Sequence, residues 1–534
     1  MSALDEQKPE NSVELKPIPA LGAVKGESSA GRFARNSLLS VGRLFFTSVV
    51  ALALPSYLTH RLPVKTYAAW VLILQVSSFV NYLDFGVQSG ISKYVAEYEV
   101  QNDRRAASMR ASAGLALMLI ASILGVLLTG ILAWRTPQLF HDMPSSLYRD
   151  VRISIIFVGI SLSFGLLCSI FSSIFLGLQR FAIPMILSMI NRLLFAGVVL
   201  TAVALRQSLA VMGVLVALTN VFIGILQFEA WRRWASMIRL SLFSLDMQIV
   251  RKMLSYCSSL AIWTAGMLCV NGLDITIVGR YDFGETAFYS VAALPTGFII
   301  SMMGAALAPL MPTASALSVQ RTAAQMGNLL TRMTRYGTAL LVVSALPLIV
   351  AGYWILTLWV GPVYAAHSVK YLRILLIANV FRSVCLPYAN LLVATDSQRI
   401  AVGGVIIEAI VNLSFSVYLV QHLGAIGVAY GTLIGSFVSI GMHFAVNMYF
   451  TQDKISVVRL RLFLAGILRP GLIALPSILL LPYWWLSSAP ALTAPVWLFL
   501  ATSTGILTWF AAFNGQERRG LLGVVNRRFS MRVV

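Results

Sequence analysis

Charge is what this sequence has least of. Asp, Glu, Lys and Arg make up 11% of its 534 residues, less than half of the roughly 25% found in soluble domains. So few charges cannot cover a water-solvated surface, and 58% hydrophobic residues with a mean hydropathy of +0.81 leave no room for one. A soluble globular protein and a disordered chain are both excluded. Acidic residues are the scarcer sign, 20 against 40 Lys and Arg. Cysteine occurs only at Cys168, Cys257, Cys269 and Cys385, each inside an apolar stretch and none in a C-x-x-C spacing. That excludes a disulfide scaffold and a cysteine metal site, and it leaves buried thiols. There is no Walker loop, no H-E-x-x-H and no G-x-S-x-G, so nucleotide hydrolysis and the commonest hydrolase chemistries have no residues to run on. No metal or cofactor is expected.

What remains is a polytopic membrane protein. A helix needs about 20 apolar residues to cross a bilayer, and fourteen apolar segments can be marked between residues 37 and 513. Residues 1–34 are polar, with no apolar h-region, and read as a disordered cytoplasmic tail. If the N-terminus is inside and the segments alternate, 27 Lys and Arg fall on the inner side and 9 on the outer, with 4 inside spans. Cytoplasmic loops are enriched in Lys and Arg. The split therefore predicts both termini in the cytoplasm and an even number of spans. It also accounts for most of the +20 net charge without nucleic acid.

The chain repeats itself. Gln179-Arg180 follows the fourth segment and Gln398-Arg399 the tenth, and Arg61 and Arg280 follow the first and seventh. Six-helix halves in the same orientation produce such offsets, and parallel repeats of this kind occur in transporters, with substrate bound between the halves. The expected organisation is a tail over 1–34, a six-helix bundle over 35–250, a second over 251–453, and two further helices with a basic tail over 454–534. The fold class is thus all-α, about fourteen transmembrane helices in two pseudo-symmetric bundles plus two.

Three stretches carry a family resemblance. They are NYLDFGVQSGISKYVAEYEVQND (81–103), NGLDITIVGRYDFGETAFYSVAAL (271–294) and VNLSFSVYLVQHLGAIGVAYGTLIGSF (411–437). Together they resemble the polysaccharide flippases of the Wzx type, in the multidrug/oligosaccharidyl-lipid/polysaccharide exporter superfamily. The resemblance covers most of residues 31–453. It implies alternating access around a central cavity in the bacterial inner membrane, and an undecaprenyl-pyrophosphate-linked glycan as cargo, for lipopolysaccharide or exopolysaccharide synthesis. A glycan polymerase and a chain-length regulator are the protein partners it implies. The alternatives are a cation-coupled drug or metabolite exporter of the same fold and a membrane-embedded glycan polymerase or ligase. The longest expected outer loop, 135–152, is short for such an enzyme, so no enzymatic activity is expected.

Ionisable residues inside spans are costly and normally face a wet cavity or a partner. Arg192, Arg382 and Arg43 are the candidates for holding pyrophosphate, because a guanidinium matches phosphate oxygens bidentately. The alternatives are a structural ion pair for Arg192 and Arg382 and snorkelling for Arg43. Asp274, Glu408 and Asp84 are the candidates for ion coupling. Glu408 lies 216 residues after Arg192 and is a possible partner of it across the halves. Asp84, before Phe85-Gly86, has a turn cap as its alternative. Gly427, Gly431 and Gly435 share one helix face and predict close helix packing.

Overall fold

The computed structural model describes residues 49–242, 246–307, 322–395, 397–480, 494–515 and 517–519, and the described residues form helices without strands. The polar tail and Arg43 lie outside them. Bilayer interiors offer backbone groups no water, so helices that satisfy their own hydrogen bonds are the form an apolar chain takes there. We number the helices by segment: α1 (described over 49–61), α2 (Val64–Val100), α3 (Arg104–Leu139), α4 (Ser145–Gly177), α5 (Ala182–Ala204), α6 (Leu209–Trp234). α7 has two arms, Met247–Met267 and Asp274–Tyr281, and is followed by α8 (Thr286–Leu307), α9 (Ala323–Val350), α10 (Pro362–Ala394), α11 (Gln398–Leu423) and α12 (Ala425–Phe450). The last two are α13 (Arg459–Leu479) and α14 (Ala494–Ala512).

Eleven of these are long and apolar enough to cross a membrane, twelve if the bent α7 is one span. The chain is therefore a multi-pass, all-helical membrane protein. The expected count of fourteen exceeds this. The first segment is described only over 49–61, and the apolar stretch of the last, Leu498–Ala512, is shorter than a full crossing.

The repeat is visible in the helix register. α5 and α11 begin at 182 and 398, and α6 and α12 at 209 and 425, both 216 apart. The helix with the most buried apolar stretch in the first half is α4, and in the second it is the corresponding α10. α4 packs against α2, α3 and α6, and α10 against α8, α9 and α12. α11 and α12 form a tight hairpin. A side chain at Gly427 or Gly431 would run into the backbone of Leu419 or Ser416, and one at Gly435 into Asn412, so the glycine face is what lets the two helices touch. α13 and α14 lie on α9, and the turn after α14 is tied there by Glu517, which accepts from Arg335 at 2.7 Å and Tyr336 at 2.6 Å.

The cores differ between the two ends of the molecule. At the end poor in Lys and Arg, one core joins both halves: Leu58 and Trp70 from α1 and α2, Ile155 from α4, Val278 and Tyr289 from α7 and α8, Tyr371 from α10 and Val428 from α12. At the basic end there are two. One holds Ile91, Met118 and Ile174 of the first half, and its members beyond residue 246 all belong to α7. The other holds Met326, Leu330, Tyr388, Leu391 and Met448 of the second half. The halves thus share one core at the basic-poor end, and at the basic end α7 joins the core of the first half while the rest of the second half packs in a core of its own. Trp359, from the short helix Gly352–Val360, adds a polar tie at the joined end: its indole Nε1 donates to the carbonyl of Leu52 in α1 at 2.7 Å, and its own carbonyl accepts from Ser56.

The charge split predicts exposed Asp142 and Gly284 outside the cell and exposed Arg104 and Arg519 inside. Single cysteines at 142 and 284, on a Cys-free background, should react with an impermeant maleimide added to intact cells. Cysteines at 104 and 519 should react only after permeabilisation, and reversal of either pair would overturn the orientation.

Candidate functional site

A cavity of about 570 Å³ lies between the halves. Its walls are α1 (Leu52, Pro55, Leu58), α2 (Tyr67, Trp70, Gln75, Ser78), α5 (Arg192), α7 (Ile275) and α8 (Ser290, Ala293, Gly297, Phe298, Ser301). Its surface is mainly apolar, and Arg192 is the one charged residue that lines it. α5 can present this side chain because it is the least buried of the spans, resting on α6 and lightly on α4. Arg192 is exposed, and among the described residues no carboxylate comes within ion-pair distance of it. It is the eleventh residue of α5, about 15 Å along the helix from the basic end at 1.5 Å per residue. Gly297 of α8 faces open space, so its missing side chain leaves the cavity wide. On α2, Gln75 donates to the carbonyl of Gly272 at 2.7 Å, in the π-helical turn Leu268–Gly272 that separates the arms of α7.

Arg382 and Glu408 are elsewhere. Arg382 Nε meets Glu408 Oε1 at 2.7 Å, with side chains only 14% and 8% exposed. Glu408 is the eleventh residue of α11, as Arg192 is of α5, so the two do occupy equivalent places in the repeat. Glu408 nonetheless pairs within its own half. The corresponding stretch of α4, Phe164-Gly165-Leu166, offers no charge, which leaves Arg192 without the partner its counterpart has.

Asp274 begins the outer arm of α7. Its Oδ2 accepts from Thr432 of α12 at 3.0 Å and from Tyr289 of α8 at 3.3 Å, while Oδ1 is buried with no hydrogen-bond partner in the described structure. Asn412 and Ser416 of α11 continue this polar patch, Asn412 donating to the carbonyl of Val270 at 3.4 Å. Two further arginines are buried in spans of the second half: Arg335 of α9 pairs with Glu517 at 2.7 Å, and Arg373 of α10 donates to the carbonyl of Ile349 at 3.1 Å. Asp84 is different again: its Oδ1 accepts from the backbone N–H of Gln88 at 3.2 Å, beside a left-handed turn at Phe85 and Gly86. It caps the break in α2.

The sequence pointed to the charges but not to Tyr67, Gln75 and Ser290 in the cavity or to Tyr289 and Thr432 around Asp274. Nothing marks a lone hydroxyl or amide in a span as facing a cavity. Thr432 could have been suspected, because polar residues recur every three or four positions along α12. No group of His, Cys, Asp and Glu able to hold a metal occurs among the described residues.

No protein-family model matches the sequence, and no curated protein matches it. Solved structures do match in fold. A lipid II flippase, MurJ, in an inward closed conformation superposes with a TM-score of 0.68 at 12% identity, over 89% of this chain and 98% of that one. A multidrug-resistance MATE family transporter of the MOP superfamily, in an inward-facing conformation, gives 0.59 at 15% identity, over 76% and 96%. A MATE transporter of Vibrio cholerae gives 0.56 at 11% identity, over 79% and 97%. The chain shares the fold of these solved structures.

Breaking a buried ion pair by removing one partner costs about 3–5 kcal/mol, whereas replacing both by apolar groups is often neutral. Arg382→Leu should therefore lower the thermal midpoint in detergent sharply, and Arg382→Leu/Glu408→Leu should recover most of the loss. A double variant less stable than the single would show that the pair is not what neutralises Arg382.

Proposed function

We propose that this protein is a Wzx-type flippase. It would carry an undecaprenyl-pyrophosphate-linked oligosaccharide from the cytoplasmic to the outer leaflet of the bacterial inner membrane, by alternating access, for lipopolysaccharide or exopolysaccharide assembly. The observation that carries the reading is Arg192, the one charged residue lining a mostly apolar cavity between two halves and without an acidic partner among the described residues. A cation held there without a carboxylate needs water or an anionic cargo, and a pyrophosphate supplies the matching oxygens. The apolar lining suits the first isoprene units of the carrier. A cationic drug, the cargo of the competing exporter reading, would meet a positive charge and no acid.

The arrangement of the cores supports alternating access. A core shared by both halves at the basic-poor end, with α7 alone of the second half in the first-half core at the basic end, leaves the rest of the two bundles able to part at one end. Energy is available without nucleotide. A diester of pyrophosphate bears about two negative charges, and moving them outward across 100 mV releases roughly 4–5 kcal/mol. Asp274, with one carboxylate oxygen buried and unpartnered in the described structure, supplies a second route, taking a proton from outside to assist the return. A polymerase and a chain-length regulator would receive the exported glycan.

Arg192→Ala should reduce glycan export by about tenfold or more at matched expression. Arg192→Lys, which keeps the charge and loses the planar fork, should retain a substantial fraction. Export by the alanine variant equal to the parent's would remove Arg192 from the cargo site.

A further inference from the structure

One face of α12 is polar along its whole length. Thr432, Ser436, Ser439, His443, Asn447 and Thr451 follow one another at helical spacing, and all six are buried. From Thr432 to Thr451 is about 28 Å at 1.5 Å per residue, close to the ~30 Å hydrocarbon thickness of a bilayer. The hairpin contact with α11 explains small residues on this face, but it does not explain an imidazole and an amide, which are expensive to bury unless they are used.

The stripe begins at Asp274. Thr432 donates to that carboxylate at 3.0 Å, and Ser436 donates to the carbonyl of Thr432 at 2.8 Å. It continues through a π-helical turn, Met442–Asn447, a deformation that tends to occur where a helix does more than pack. There the amide of Asn447 lies 3.1 Å from His443 Nδ1. An amide can turn its oxygen or its nitrogen to that ring, so it serves the neutral and the charged imidazole alike. The stripe ends where Thr451 meets the hydroxyl of Tyr388 at 2.7 Å, next to the surface turn in which Lys454 donates to the carbonyl of Thr395. The helices packed against α12 carry these ionisable groups: Tyr364, His367, Lys370, Tyr371, Arg373, Arg382, Cys385 and Tyr388 on α10, Arg399, Glu408, Tyr418 and His422 on α11, and Asp274, Arg280 and Tyr281 on the outer arm of α7; Tyr388 meets the His443 ring edge-on at 5.6 Å. Glu408 stands one turn from Gly404, where a Cβ would lie 3.4 Å from the Asn447 amide. Glycine there keeps the space between Glu408 and the His443–Asn447 pair free of a side chain.

We infer that the buried polar face of α12 is the path by which a proton leaves Asp274 for the basic end, with His443 holding it on the way. This rests on the reading of Asp274 as the coupling carboxylate. The carboxylic acid of Asp274 gives its proton to the path and becomes a carboxylate. Each hydroxyl accepts one proton and releases its own, and the imidazole accepts one at a ring nitrogen and releases one. Groups a turn apart, about 6 Å, need a bridging water for the proton to pass between them. Thr451 and Tyr388 pass the proton to water at the basic end, and no heavy-atom bond or electron moves. The path runs inside the second half, apart from the cavity that holds the cargo, so the ion and the glycan do not compete for space.

The test uses the full chain in liposomes with a pH-sensitive dye inside, the membrane potential clamped at zero, and a polyprenyl-pyrophosphate disaccharide as cargo. The parent should show cargo-dependent proton flux, and Asp274→Asn should show none. His443→Gln keeps the hydrogen bonding but carries no proton at neutral pH. It should lose the flux at least tenfold while binding cargo and transporting it under an imposed potential as the parent does. A flux in His443→Gln equal to the parent's overturns the path and leaves Asp274 coupling standing. A parent without proton flux overturns the coupling and the path with it. If His443→Gln fails to bind cargo, Tyr388→Phe, which removes only the hydroxyl at Thr451, decides: reduced flux supports the path and unchanged flux overturns it.

Discussion

A charge inside a bilayer has to be paired, wetted or neutralised, and this constraint accounts for how Arg192, Arg382, Glu408 and Asp274 sit in the described structure. Arg382 and Glu408 answer it by pairing with each other on neighbouring helices. Asp274 answers it with two hydroxyl donors on one oxygen, its other oxygen being buried and unpartnered. Arg192 answers it by facing a cavity. The same chain position, the eleventh residue of the fifth span and of the eleventh, thus carries a cation open to the cavity in one half and an anion locked in a pair in the other. The repeat supplies two equivalent scaffolds, and the charges make them different: one half turns a cation to the cavity, and the other locks its counterpart acid in an ion pair.

The two halves meet in a way that suits movement between two states. Core packing is dense and has few intermediate arrangements, so a molecule with one shared core at one end and two separate cores at the other sits in a defined state. Reaching the opposite state means parting the shared core and freeing α1 from Trp359, whose indole and carbonyl both bind it. The glycine-faced hairpin of α11 and α12 and the pair Arg382–Glu408 lie within one half, where they hold that half together as it moves.

Much of this was legible in the sequence. Scarce charge and long apolar segments gave the membrane class, and the Lys and Arg asymmetry gave an orientation. The repeated Gln-Arg pairs pointed to a repeat that the helix starts now place at 216 residues. Gly427, Gly431 and Gly435 were readable as a packing face because only a missing side chain lets two backbones touch. The partner of Glu408 was not readable. Arg192 and Arg382 are both deep cations, and only the folded hairpin and α10 show which one reaches it. The break in α7 was hidden too, since a π-helical turn has no residue signature comparable to proline. Of the fourteen expected spans, eleven or twelve meet the length and apolarity of a crossing among the described residues, and parts of the first and last segments lie outside them.

The central claim is that the lone cation in the cavity selects an anionic lipid carrier. The most direct measurement is the affinity of the purified parent for one disaccharide on two polyprenyl carriers of equal length, one joined through pyrophosphate and one through a neutral ether, read by native mass spectrometry. The account predicts a preference of at least about tenfold for the pyrophosphate form, worth ~1.4 kcal/mol, that shrinks as salt is raised. Equal affinity for the two carriers would contradict it.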